Sequence, residues 1–245
     1  MLESLKKMFS RPGPRQELGE MADWARRLGH GFKRARGNGG FVIEGLLEGR
    51  PWRGEWGAPQ REYIVGHELR LRMELDLPSD AQMLLLSRPL MDRLERQTFE
   101  EFTDNVQTQI GTKTPEEMRW LVMFPKVPLG SVKVLRGRFG AVASQPETGL
   151  AWIQGPLANM LDSVSDDLLR DDAPFVLMTL RGRAYLRLQL DAPDPRRVAT
   201  ALGLFETAVT QALVAVGGPV ERHVESGSSR STAWQSFPPD PPKSR

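Results

Sequence analysis

The side chains that could do chemistry here are three histidines and a dispersed set of carboxylates and arginines; the chain contains no cysteine. His30, His67 and His223 lie far apart, and none has metal-ligand spacing to another histidine or to a carboxylate. That argues against a structural zinc site. Without cysteine there are no disulfides, thiolate ligands or cysteine nucleophiles. No G-x-S-x-G and no G-x-x-x-x-G-K-[ST] occurs, so neither a nucleophile elbow nor a P-loop is signalled. Gly29, Gly31, Gly37, Gly39 and Gly40 are close together, but no strand pattern precedes them and no helix pattern follows, as a phosphate loop requires. They read as a linker. The sequence assigns no catalytic residue, no cofactor and no metal, and the expectation leans away from an enzyme.

Charge is the other resource. The densest acidic cluster is Asp162, Asp166, Asp167, Asp171 and Asp172, which reads as a solvated helix end. Arg136, Arg138, Arg181, Arg183 and Arg187 fall on strand-like segments or their turn and would form a cationic face if those strands were neighbours. The net charge is only +2, yet residues 1–36 carry nine Lys/Arg against four acids. Arg26, Arg27, Lys33, Arg34 and Arg36 are therefore the anion-binding candidates, for nucleic acid or an acidic membrane surface. Arg50, Trp52, Arg53, Trp56, Arg61 and Tyr63 interleave basic and aromatic side chains as a base-stacking platform would. Strand pairing favours placing both tryptophans in a core instead. At the far end, Trp234 and Phe237 precede Pro238, Pro239, Pro241 and Pro242, a segment that a partner could read as a polyproline-type peptide.

These side chains must be held by something. From His67 to Leu77 every second residue is apolar (Leu69, Leu71, Met73, Leu75, Leu77), with Glu68, Arg70, Arg72, Glu74 and Asp76 between them. A period of two predicts a strand with one buried and one wet face, and hence a layer packed on it. Phe41 to Trp56 predicts a hairpin turning at Glu48-Gly49. In that register Phe41 faces Trp56, Ile43 faces Gly54, Gly45 faces Trp52, and Glu44 meets Arg53. A second hairpin is expected over Phe175–Leu190, turning at Arg181-Gly182. The apolar run MLLL within Gln82–Ser87 predicts a short strand or a helix start. Val132–Ala143 is a further strand candidate, bent at Gly137 or Gly140.

Helical spacing marks residues 15–28, Pro89–Ile110, and Leu150–Leu169 with a break near Gly155-Pro156. A short helix should start at Thr114-Pro115-Glu116-Glu117, capped by Thr114, and a long one after Asp194-Pro195. Pro89-Leu90-Met91-Asp92-Arg93-Leu94-Glu95 matches Pro156-Leu157-Ala158-Asn159-Met160-Leu161-Asp162 at an offset of 67, with LVMF and FVLM following as candidate strands. That hints at a strand–helix–strand pseudo-duplication.

The expected fold is thus α+β: a largely antiparallel sheet of about six to eight strands with three or four packed helices. Residues 1–38 would form a basic helix and linker, and 39–220 a globular domain with lobes 39–128 and 129–220. Residues 221–245 would be a disordered Pro/Ser-rich tail. No uninterrupted apolar run reaches the ~18 residues of a membrane span, and no secretory leader pattern opens the chain. A cysteine-free chain of this kind is expected in the cytoplasm. The expected role is a non-enzymatic protein-interaction or scaffold module with a protein partner or a second copy of itself. The alternatives are nucleic-acid or anionic-lipid binding through the basic segment, and an enzyme with a dispersed Asp/Glu/Arg site.

Overall fold

The alternation predicted for His67–Leu77 holds the middle of an eight-stranded antiparallel sheet. The structure is a computed structural model and describes residues 14–35, 39–104, 114–165, 168–169 and 172–217. Its strands are β1 (Gly31–Arg34), β2 (Phe41–Leu47), β3 (Arg50–Gly57), β4 (Glu68–Glu74), β5 (Met83–Ser87), β6 (Phe139–Ala143), β7 (Phe175–Leu180) and β8 (Arg183–Gln189). Their spatial order is β1-β2-β3-β4-β8-β7-β5-β6. The helices are α1 (Pro14–Arg27), α2 (Arg88–Asp104), α3 (Glu116–Met123), α4 (Pro146–Ile153), α5 (Pro156–Val164) and α6 (Pro195–Val216).

Local chemistry explains the hairpins. β2 and β3 pair as read from the sequence, Phe41 with Trp56, Ile43 with Gly54, Glu44 with Arg53 and Gly45 with Trp52. Glu48 and Gly49 both have positive φ, as do Arg181 and Gly182 between β7 and β8. Two consecutive left-handed residues make the turn whose twist matches that of the flanking strands.

One row of side chains crosses every strand on the first face: Phe32, Ile43, Gly54, Leu71, Leu186, Leu177, Leu85 and Ala141. Helices α1, α4, α5 and α6 cover that face and share its core with the strands. The Asp194 side chain caps α6 by accepting from the Arg196 N–H at 2.8 Å. By length and apolar composition α6 alone among the described helices could cross a bilayer; here Val198, Leu202, Phe205 and Val209 pack into the core. On the second face, α2 and α3 cover only β5, β6 and part of β7. They close a separate cluster that includes Leu84, Leu86, Leu94, Trp120, Val176 and Met178. Met91 lies against Gly140 so closely that no Cβ would fit there.

Several expectations change. Gly31–Arg34, read as linker, is edge strand β1; Phe32 is its only large apolar residue, so no periodicity announced it, and β2 supplies the ladder. Strand pairing near Val132 fails: residues 129–135 form two 3-10 turns, and only Phe139–Ala143 extends. Residues 121–123 of the LVMF segment are helical rather than extended, because α3 buries Met118 and Trp120. Its N-cap position is Pro115, with no side-chain cap from Thr114. The two P-L-x-[DN]-x-L segments lie on α2 and α5, on opposite faces of the sheet, so the structure does not support a duplication. Strands from 39–128 and 129–220 alternate within the one sheet. Among the described residues the α+β fold has six helices, because Gly155-Pro156 splits the expected Leu150–Leu169 helix in two and the first helix packs on the body.

Candidate interaction edge

The sheet has two edges, and they are treated differently. At β6 the chain covers its own edge: Val127 N–H donates to Ala141 O at 2.9 Å, and Ala143 N–H donates to Pro125 O at 3.2 Å. At β1 nothing among the described residues takes that position. Ala35 N–H donates to Gly40 O at 2.9 Å, which sets the alternation of the β1–β2 ladder. Gly31, Lys33 and Ala35 turn their main-chain groups toward β2, and Phe32 and Arg34 turn theirs outward.

What positions this edge is built from both faces. On the first face Phe32 stacks on Phe41 (ring centroids 5.5 Å), Phe41 on Trp56 (5.6 Å) and Trp56 on His67 (4.4 Å). The Trp56 indole N–H donates to Leu190 O at 2.7 Å, which ties the ladder to the end of β8. His30, just before β1, sits edge-on to Trp24 and Trp52; burial lowers its pKa, partly opposed by Glu206.

On the second face, charges alternate across the strands. Lys33 bonds Glu44 (3.1 Å), which bonds Arg53 (2.6 Å), which bonds Glu55 (2.7 Å). Glu55 then meets Arg70 (3.2 Å), Arg70 meets Glu68 (3.1 Å), and Glu68 pairs with Arg187. Glu68, Arg70 and Arg187 are buried although the alternation placed them on the wet face. The connection from β3 to β4 roofs them: Gln60 N–H donates to Glu68 at 2.7 Å, and Arg70 donates to Ala58 O at 3.1 Å. That roof is pinned in turn by Glu117 of α3, which accepts from Arg61 Nε at 2.6 Å and from the Tyr63 hydroxyl at 2.5 Å. Burial works against ionisation of Glu117, but the Arg61 guanidinium outweighs it and holds the carboxyl below its usual range. Burial, reinforced by the Glu117 charge, pushes the Tyr63 hydroxyl well up.

The anion-binding candidates are only partly brought together. Arg26 and Arg27 end α1, Lys33 and Arg34 lie on β1, and α1 packs on β1. Arg26 pairs with Asp23 at 2.8 Å and Lys33 with Glu44. Arg27 and Arg34 make no ion pair among the described residues. Arg36 and the tail candidates Trp234, Phe237, Pro238, Pro239, Pro241 and Pro242 lie outside the described residues. Trp52 and Trp56 are buried in the core.

The second basic set does not form one face, because β7 and β5 separate β8 from β6. Arg183 and Arg187 are held by Glu74 and Glu68. Within the acidic cluster, Asp162 lies 3.6 Å from Arg138, while Asp166, Asp167 and Asp171 lie outside the described residues. Sequence reasoning missed β1 and the roof over Glu68. A signal for the roof existed in the alternating signs of Arg53, Glu55, Glu68 and Arg70 on strands that pair.

No family model matches the chain, and no curated protein matches it either. Among solved structures it is similar to the mycobacterial trehalose monomycolate transport factor A, with a TM-score of 0.49 and 8% sequence identity, over 84% of this chain and 98% of that one.

Proposed function

We propose that this chain is a non-enzymatic protein-interaction module, and that its contact element is the edge at β1, where an extended segment of a partner protein adds as a further strand. The observation that supports this is the pair of residues, Phe32 and Arg34, whose main-chain groups face outward from a strand held rigidly on its other side. Strand addition uses such groups for affinity and neighbouring side chains for selectivity. Arg27 and Arg34 then select a segment carrying acidic residues. Arg26 and Lys33 are already neutralised by Asp23 and Glu44, which favours this reading over an extended polyanion such as nucleic acid or an anionic lipid surface.

Arg34→Pro tests it. Proline removes an outward N–H and no bond to β2, so the sheet should survive. Capture of protein partners by the full chain is compared with capture by Arg34→Pro, by Arg34→Ala, and by a chain lacking residues 226–245. The edge reading expects capture to be lost in Arg34→Pro, weakened in Arg34→Ala, and kept without the tail. Equal capture by wild type and Arg34→Pro sinks it, and capture lost only with the tail moves the contact to Trp234 and Phe237. Co-purifying nucleic acid released by salt would favour the basic-segment alternative instead.

A further inference from the structure

At the opposite end of the sheet from the β4–β5 turn lies a cleft of about 340 Å³. It is bounded by the start of α6, the end of β8, the segment entering β7, the roof at Tyr63, and α2. Four charged side chains line it: Arg93, Arg197, Asp172 and Asp191. Across β2, β3, β4 and β8 many charges are joined in pairs and chains, although among the described residues Arg34 and Arg72 on the sheet are not. Among the described residues none of these four makes an ion pair, either with another of the four or with anything else.

Two of them are nevertheless held in place. Arg93 donates from Nη2 to Tyr63 O at 3.2 Å, and Tyr63 is itself anchored by Glu117. Asp191 accepts from Gln189 Nε2 at 3.4 Å, and its carboxylate packs against Gly66, where a Cβ would lie 2.9 Å from Oδ1. The Nε of Arg197 is buried and has no acceptor. A guanidinium N–H withdrawn from water normally has an acceptor, and Arg70 Nε and Arg119 Nε lack one in the same way, so the weight of the case lies on the four charges that line the cleft.

We propose that this cleft binds a small zwitterion of the α-amino-acid type, its carboxylate received by Arg197 and Arg93 and its ammonium by Asp191 and Asp172. The inference does not depend on the reading of β1. Two positive and two negative groups lining one small space, with Arg93 and Asp191 held by hydrogen bonds, are complementary to a ligand carrying both charges. A simple anion would leave the aspartates unmatched. Guanidinium suits a carboxylate because its planar fork can make two parallel bonds to it. The volume lies at the small end of the roughly 300–1,000 Å³ typical of ligand clefts, which limits the ligand to about a single amino acid or a dipeptide.

The test uses the full chain, with titration calorimetry and ligand-observed NMR against the common amino acids and small dipeptides, each beside its N-acetyl and methyl-ester forms. At least one free form should bind with a Kd in the micromolar-to-millimolar range, and blocking either end should weaken it about tenfold or more. Arg197→Gln should abolish the difference between acid and ester, and Asp191→Asn the difference between free and acetylated amine. No binding of any free form at roughly 10 mM overturns the proposal. So does a blocked form that binds the wild-type chain as tightly as its parent, a result that needs no variant to fold.

Discussion

Under α2 and α3 the second face of the sheet is closed by Leu84, Leu86, Val176 and Met178 against Leu94 and Trp120. One strand further on, from β8 to β1, the same face is closed by alternating charges, with Arg187, Glu68 and Arg70 fully buried among them. Both halves bury second-face side chains, the charged one at Glu55, Glu68, Arg70 and Arg187 while Lys33 and Glu44 stay open to solvent, and both rest on the same apolar row on the first face. They differ in how a defect is borne. An apolar cluster loses contact area in proportion to what is removed. A buried charge lattice fails discontinuously, because each member removed strands its neighbour in a low dielectric. The lattice also has to be matched atom by atom, and this fixes the path of the β3–β4 connection, and with it Tyr63 at the wall of the charged cleft.

The largest expected effect is in the lattice. Glu68→Ala leaves Arg187 buried without its acid and should cost about 3–5 kcal/mol in chemical denaturation. Replacing Glu68 and Arg187 together by leucine removes the stranded Arg187 and should recover part of that loss, although Arg70 and Gln60 still lose Glu68; a double variant as unstable as the single one would mean that the pair itself stabilises the fold. In the apolar half, Leu86→Ala should cost about 3 kcal/mol, from lost transfer energy and the cavity left behind. If it costs more than Glu68→Ala, the contrast between the halves is wrong.

The smallest effect concerns the clamp at Glu117. Its carboxyl titrates below the ordinary value of 4.5 because of Arg61. The unfolded chain therefore binds that proton first as the pH falls. The stabilisation is complete above the ordinary value and is lost as the pH drops through the lower folded one. Glu117→Gln should cost roughly 1.5 kcal/mol at neutral pH and should flatten the acid limb of the stability curve. An unchanged acid limb would remove the clamp from the lattice.

Much of the frame could be read from residue order. The period of two at His67–Leu77 located the central strand. The match of small with large residues across Phe41–Trp56 set a register that holds pair by pair. Asp194-Pro195 marked a helix start that forms, and Gly155-Pro156 a helix break that separates α4 from α5. Less of the candidate edge was readable. Arg26, Arg27, Lys33 and Arg34 were visible as charge, but β1 was not visible as a strand, since four residues with one apolar side chain have no measurable period. The cleft was not readable at all: Arg93, Asp191 and Arg197 come from three separate elements.

Residue order by itself determined the apolar faces of β2, β3, β4, β8 and α6, the turns of the two hairpins, and that the chain has neither thiol chemistry nor paired histidines. Those properties are local, governed by side-chain periodicity, by φ at Glu48-Gly49 and Arg181-Gly182, and by composition. Tertiary structure alone decided that β5 lies between β7 and β6, that one sheet edge is covered and the other has no pairing segment among the described residues, and that the polar side of β4 is buried. Each of these is a choice between partners distant in the chain, such as Glu68 with Arg187 or Arg61 with Glu117. A charged residue reads as solvent-facing until the opposite charge that can accompany it out of water has been placed beside it.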